Sequence, residues 1–299
     1  MQSLDKRLQA TYSQAYKVAI ENEKAAINKL ASFDVEALKA QGLTDTQIRA
    51  KQLAFKAQVE RDTKIANNIA AEITKSGETA AAMIQGEMLN VYGLNLDFSR
   101  FSIDKEAGVM FDWTIYDKKQ INVLMTEKQS PFTKIAYKNL GKDKKIVQRL
   151  QNELTVSVIN GESQQQIAKR ISNVTGQSYK QARRVAQTER MRVQSQARSQ
   201  GFDEASEMGV DMAKQWISRR DSKVRDDHAE VTGEIVNNDE AFSNGLMFPG
   251  DPDGDPGDII NCRCVLKPIV KNVPASVKAY REKMSQNYGF EEWRKSRGS

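Results

Sequence analysis

Proline is spread so unevenly along this chain that it constrains the fold before any other feature does. Of the six prolines in 299 residues, Pro131 alone precedes Pro249, and the rest fall at 252, 256, 268 and 274. Proline removes a backbone donor and clashes with the preceding helical turn, so the first 200 residues are free to be mostly helical and the region after Pro249 is not. Helix punctuation agrees. Thr44 to Gln47 and Ser163 to Gln166 have the spacing of capping boxes, and Gly42, Gly77 and Gly161 each follow a periodic run as a terminating residue does. The pattern predicts helices near 3–31, 34–41, 45–75, 78–91, 118–128, 132–159, 164–174 and 178–208.

Between residues 94 and 116 the period changes. Val109, Phe111, Trp113 and Ile115 fall on one face at period two, which predicts a strand with a partner near 96–103. A second change follows residue 209, where Met212, Lys214, Trp216 and Ser218 alternate with Ala213, Gln215 and Ile217. Two further short runs, GEIV and IINCRCVL, complete the strands of a compact module, and residues 237–258 are too rich in Gly, Pro, Asp and Asn for regular structure. The fold class is therefore α+β: a mostly helical N-terminal two-thirds with a small β interruption, then a compact α+β C-terminal module with a short antiparallel sheet.

Charge is segmented as well. Basic and acidic side chains number 17 and 17 in residues 1–133, 14 and 4 in 134–198, 7 and 15 in 201–270, and 7 and 3 in 271–299. The nets of 0, +10, −8 and +4 suggest surfaces facing different partners, or a basic middle packed on the acidic block. The arginine-rich run SYKQARRVAQTERMRVQSQAR is an amphipathic helix whose cations, with those just upstream, are the candidates for sequence-independent phosphate contact: Lys144, Lys145, Arg149, Arg183, Arg184, Arg190, Arg192 and Arg198. A solvated face or a protein interface is the competing and simpler reading, and Glu189 fits as an internal ion-pair partner.

With 39% hydrophobic residues, a mean hydropathy of −0.62 and no apolar run near 18 residues, no transmembrane span is expected. The N-terminus lacks the apolar core and small-residue cleavage site of a secretory signal, so the cytosol is the default compartment of synthesis. Cys262 and Cys264 make a poor disulfide framework, which leaves them as reduced thiols or ligands.

His228 is the single histidine. With Cys262 and Cys264 it offers three ligands of a tetrahedral metal corner, with Asp226, Asp227 or water as the fourth, but Cys-x-Cys with one distant histidine is not a zinc-finger spacing. The expectation is therefore no cofactor, with buried cysteines on a strand beside Trp216 and a hydrogen-bonded histidine; zinc is the secondary reading. A zinc-dependent hydrolase or deaminase would use His228, Glu230, Cys262 and Cys264. His228-Ala229-Glu230 fits the H-x-E half of the deaminase pattern, whereas Asn261 stands where proline belongs and one residue separates the cysteines instead of two. The GDPDGDPGD run fails as an EF-hand counted from Asp251, because position 6 is Pro256 and position 12 is Cys262.

Six phrases, in order, resemble the phage Mu F-like minor head proteins, the head morphogenesis family: GESQQQIAKRI; ARRVAQTERMRVQSQAR; Gly209; WISRRDSKVRDDHAEVTGEIV; LMFPGDP; and INCRCVL. The resemblance runs from about Val158 to Pro268. Thr188 and Glu189 match the family's helix signature; Trp216, Asp221, Arg225 and His228 match its central one; Gly233, Pro249, Gly250, Asp251, Asn261, Cys262, Arg263 and Cys264 match the rest. In some relatives the positions of Arg225 and His228 are both cysteine, which with the Cys-x-Cys pair makes four zinc ligands; here Arg225 leaves three. The resemblance implies a non-catalytic minor capsid protein, assembled in the bacterial cytoplasm and carried inside the head near the portal. Its implied partners are the portal protein, the major capsid or scaffolding protein and packaged DNA, with no membrane, and its implied roles are head assembly, DNA packaging or DNA ejection. The expected division is a helical portal- or capsid-facing region over 1–150, the Mu F-like domain over 151–270 and a basic tail over 271–299.

Overall fold

The structure, a computed structural model, describes every residue except 1–2, 32–34, 62–63, 128–130, 142–144, 161, 276, 278, 285–287 and 298–299. In chain order the helical region contains α1 (Leu4–Asn22), α2 (Lys24–Ala31), α3 (Val35–Ala40), α4 (Asp45–Arg61) and α5 (Lys64–Ala107). Strand β1 (Val109–Phe111) follows, then α6 (Lys118–Glu127), α7 (Pro131–Leu140), α8 (Ile146–Ile159) and α9 (Gln164–Glu207). The remainder is β2 (Asp211–Ile217), α10 (Asp226–Glu230), β3 (Ile235–Asn237), α11 (Pro256–Ile259), β4 (Val265–Asn272), β5 (Ala279–Lys283) and α12 (Phe290–Ser296). The α+β class holds.

The chain divides into two compact units, one from residues 1–84 and 135–183 and the other from 85–134 and 184–299. The first is helical. In α1 the buried Leu8, Tyr12, Ala15 and Ala19 recur every three or four residues, which lays one stripe toward the unit's interior. Leu150, Leu154 and Val158 form the matching stripe of α8. Arg170 on α9 bonds Glu153 at 2.7 Å and Glu162 at 2.6 Å, joining α9 to α8 and to its own N-terminal approach.

Glycine explains two departures from the expected helix breaks. Gly77 does not end a helix; it lies inside the 44-residue α5, where a Cβ would stand 1.6 Å from the Leu140 carbonyl oxygen. The residue is there for close approach, not for termination. Gly176 likewise lies inside α9, so the expected 164–174 and 178–208 helices are one. Gly42, at φ 81°, does terminate a helix in the left-handed conformation. Gly161 and Lys144 lie outside the described residues.

The second unit centres on Phe101, Phe111, Phe202, Trp216, Phe242 and Trp293. Strands β3, β2 and β4 form an antiparallel sheet in that spatial order, with Trp216 opposite Leu266 and Lys214 opposite Pro268. The expected alternation of β2 holds from Lys214 to Ile217, whereas Ala213 on the other face is buried too; the strand buries Lys214 with the apolar residues. Lys214 Nζ donates to the Asn238 carbonyl at 2.9 Å and lies over the Phe242 ring, which satisfies a cation that burial penalises.

Three strand expectations are corrected. Residues 96–103 are helical, because they continue α5, and the partner of β1 is β5, from the segment expected to be a tail. The extended run after β1 does not keep its period: Trp113 is buried, but Ile115 is 78% exposed. Cys262 and Cys264 precede β4 and are not on it, since Asn261 at φ 58° breaks the extended conformation just before them.

Candidate functional site

The motif residues converge in the second unit through the C-terminal half of α9, the loop before α11 and the Cys-x-Cys turn. On α9, Glu189 and Arg192 are both buried and paired at 3.1 Å. The Arg192 guanidinium also donates to Gln196 Oε1 at 2.7 Å and to the Met125 carbonyl at 3.4 Å, so a buried charge pair is held by further hydrogen bonds. Neighbouring Thr188 accepts the Asn261 backbone N–H at 3.3 Å, fastening the left-handed turn that introduces the cysteines.

The Pro-Asp loop is folded against the same helix. Gly250 adopts φ 78°, and a Cβ there would sit 3.3 Å from Arg192 Cα. Pro249 and Asp251 are buried beside it. Asp251 accepts the backbone N–H groups of Met247 at 2.9 Å and Asp253 at 3.1 Å, as Asp in a turn does. The carboxylates read as turn chemistry in the sequence act that way.

The third part is the knuckle itself. Gly233, at φ 92°, donates its N–H to the Trp216 carbonyl at 2.8 Å and turns the chain after α10 back along β2. The Trp216 ring lies edge-on to His228 and to Phe242, each with centroids 5.2 Å apart. Its Nε1 donates to Ser218 Oγ at 3.0 Å, and Ser218 in turn donates to the His228 carbonyl. His228 Nδ1 faces both thiols, 3.6 Å from Cys262 Sγ and 3.5 Å from Cys264 Sγ. The hydrogen bond from Cys262, and then His228, draw the Cys264 thiol far below its ordinary value, while the same bond and burial push Cys262 up. His228, Cys262 and Cys264 are thus a donor set fit for a soft divalent metal.

Two outer arginine contacts close the turn. Arg263 makes a bidentate pair with Asp221, both bonds 2.6 Å, and holds the Asp221 carboxyl down at about 2. Arg225 donates to the Ile260 carbonyl at 2.6 Å. The arginine that stands where some relatives have cysteine therefore braces the Cys-x-Cys turn by a hydrogen bond.

The structure brings all fourteen motif residues into this assembly but separates other candidates from it. Asp227 approaches Nε2 of His228, at 3.8 Å, on the ring edge away from the sulfurs, so it does not complete a corner with them. Glu230 is exposed while His228 is buried. Among the arginines expected to meet phosphate, Arg192 is buried as described and Arg198 donates to the Leu266 carbonyl at 3.0 Å with its guanidinium over Phe98. Burial lowers the Arg198 pKa. Both are corrected to interior roles. Lys145, Arg184 and Arg190 are exposed; Arg183 is exposed and pairs with Asp5 at 3.3 Å, and Arg149 bonds Gln177 at 3.1 Å. Sequence reasoning does not single out Ser218 as a supporting residue, although its place on the buried face of the 212–218 alternation is the signal for it.

Residues 148–267, about two-fifths of the chain, match the family described as phage Mu protein F like protein. The chain is 29% identical over 139 residues to minor head protein GP7 of Bacillus phage SPP1, an alignment covering 46% of this chain and 45% of that protein. It is 31% identical over 157 residues to a protein named NAD(+)--arginine ADP-ribosyltransferase EFV of Enterococcus faecalis (strain ATCC 700802 / V583), covering 50% of this chain and 31% of that one. A third relative, the uncharacterized protein YqbB of Bacillus subtilis (strain 168), is 27% identical over 128 residues, covering 40% of this chain and 41% of that protein. The chain thus spans less than half the length of these relatives. No solved structure matches it significantly. Among the described residues, no helix is long and apolar enough to cross a membrane.

Proposed function

We propose that this chain is a minor head protein of a bacteriophage, carried inside the head and associated with the portal, where it serves head assembly, DNA packaging or DNA ejection without catalysing a reaction. The observation that carries this reading is the Mu F-like domain over 148–267, together with the similarity to a protein named as a minor head protein. Most of its motif residues do packing work: Glu189 with Arg192, Asn261 with Thr188, and Gly250 against α9 hold a loop and a turn on a helix. That is the chemistry of a scaffold for contacts. The portal and the major capsid or scaffolding protein are its protein partners, and the exposed Lys145, Arg184 and Arg190 contribute non-specific attraction to packaged DNA.

An enzymatic reading gains nothing from the site. A deaminase-type reaction needs a metal-held water and a carboxylate at the same open pocket, whereas His228 is 1% exposed and Glu230 faces solvent. The enzyme name of the Enterococcus faecalis relative belongs to a protein of which this chain covers 31%.

The test is co-expression of the tagged chain with the portal and major capsid proteins of the same phage. Stable co-elution of the portal protein with this chain is the expected result, and separate elution at physiological salt contradicts the portal association.

A further inference from the structure

We propose that an open cavity in the second unit docks an amphipathic helix of a partner protein, one that carries an aliphatic stripe and Asp or Glu side chains at one end. The cavity measures about 790 Å³, and every residue lining it lies outside the segment matched to the family. Its floor is one face of α5, where Gly86, Leu89, Gly93, Asp97 and Arg100 recur at intervals of three and four residues. That face is about 21 Å long at 1.5 Å per residue. The walls come from residues 113–121 and from α12.

The floor is patterned for a second helix. A Cβ at Gly86 would meet nothing within 4 Å, and one at Gly93 only Ile121 Cδ1, at an ordinary 3.5 Å, so the chain's own packing requires neither glycine. Glycine inside a helix lowers its stability, and close approach of another backbone is what offsets that loss. Gly77 shows this use earlier in α5, where the approaching Leu140 carbonyl is present. Leu94 and Ile115 line the same cavity while 45% and 78% exposed, an apolar rim without a cover.

Charge complementarity selects the occupant. Arg100, only 5% exposed, lines the cavity and commits Nε and Nη2 to Glu204 at 2.8 and 2.6 Å. Arg294 commits Nε to Asp97 at 3.1 Å, and Arg297 commits Nη2 to Asp104 and the Phe111 carbonyl. In all three, Nη1 has no partner among the described residues and stays open to solvent. With Lys118, four cations line the cavity against the single acid Asp97. Guanidinium forks of this kind take carboxylates. A nucleic acid fits less well, because bases stack on open aromatic faces. Here Trp113 and Trp293 are buried, and the Arg100 guanidinium already lies over Trp113 and Tyr116, 5.6 and 5.2 Å from the ring centroids. A helix with small and aliphatic side chains over Gly86, Gly93 and Leu94, and carboxylates toward Arg294 and Arg297, satisfies both the apolar floor and the free donors. The inference uses the shape and chemistry of the groove alone and does not depend on the head-protein reading.

The tagged full-length chain is panned against a displayed library of helix-forming peptides, and the enriched peptides are labelled and titrated by fluorescence anisotropy. Enriched peptides are expected to carry Leu, Ile or Ala along one face and Asp or Glu at one end. G86L, L94E and I115E change exposed positions, so they should keep the wild-type circular dichroism and weaken binding about tenfold or more. Lysine in place of the peptide's acids should weaken binding to the wild-type protein by a similar factor, and E230A should leave it unchanged. Should a groove variant misfold, the charge-swapped peptide on wild-type protein decides. The proposal is overturned if no peptide is enriched over an I115E control, if the enriched peptides are basic or lack an apolar face, or if a single-stranded oligonucleotide competes for the groove. A concentration-dependent dimer of the wild-type chain that I115E abolishes also overturns it, because the occupant is then a second copy.

Discussion

Trp293, close to the end of the sequence, donates its indole N–H to Asp104 Oδ2 at 2.7 Å, across 189 positions of chain. The other carboxylate oxygen accepts the Trp113 indole at 2.9 Å and the Phe111 backbone N–H at 3.1 Å, and Arg297 lies 3.5 Å away. One fully buried acid thus ties α5, the strand β1 with its extension, and α12 together within the second unit.

Replacing Asp104 with alanine orphans these buried donors, each at about 1–3 kcal/mol. D104A is expected to lose at least about 3 kcal/mol in urea unfolding, with loss of protection around Trp293 in hydrogen exchange. A change below about 1 kcal/mol would mean the indoles find other partners.

The same residue gives stability a pH dependence. Burial outweighs the hydrogen bonds from Trp293, Phe111 and Trp113 and raises the Asp104 pKa to about 6. The folded state therefore binds the proton more tightly than the unfolded chain, so this contribution is full below pH 4 and declines as pH rises through about 6. A shift of about two units is worth about 2–3 kcal/mol. The difference in stability between wild type and D104N, followed from pH 4 to 7, is expected to shrink over that window; a growing difference reverses the sign and refutes the argument.

Gly77 and Gly176 look alike in sequence and are expected to respond oppositely to alanine. At Gly77 the new Cβ meets the Leu140 carbonyl oxygen at 1.6 Å, whereas at Gly176 nothing lies within 4 Å. Gly77→Ala should cost several kcal/mol or prevent folding of the first unit, and Gly176→Ala should gain about 1 kcal/mol from helix propensity. Thermal unfolding of the two variants decides it, and equal effects would contradict the packing.

This pair also shows where sequence reasoning ends. Periodicity and proline placement located most of the helices, because those signals are local. Whether a glycine stops a helix or admits a neighbour depends on what crosses it, and Leu140 is 63 positions from Gly77. The same limit hid the pairing of β1 with β5, which joins residues near 110 to residues near 280. At the site, the order of motif residues was legible. The turn at Asn261 that takes the cysteines off the strand, and the inward placement of Arg192 and Arg198, are consequences of tertiary packing that no spacing encodes.

DNA attraction is expected to follow exposure. Removing one phosphate-binding cation reduces the log–log salt slope by about 0.9 for duplex DNA, so R184A/R190A should flatten it by about 1.8 and weaken binding at low salt. R198A, whose guanidinium is committed to Leu266, should leave the slope unchanged if the protein remains folded. Affinity insensitive to salt in the wild-type protein would rule out DNA as a partner.

The region ahead of the Mu F-like domain has an expected task of its own. Residues 1–133 carry no net charge, and the faces of α1 to α4 in the first unit are expected to dock a protein partner. A chain lacking α1 to α4, a deletion that removes none of the second unit, should stay folded by circular dichroism and should no longer enter heads. Normal incorporation of the truncated chain would place the docking surface elsewhere.

The most direct test of the head-protein account is quantitative mass spectrometry of heads purified from cells producing the phage that encodes this chain. The account predicts the chain inside intact heads at low copy, protected from external protease together with the packaged DNA and present in constant ratio to the portal protein. Heads that are complete and infectious yet contain none of it would contradict the account.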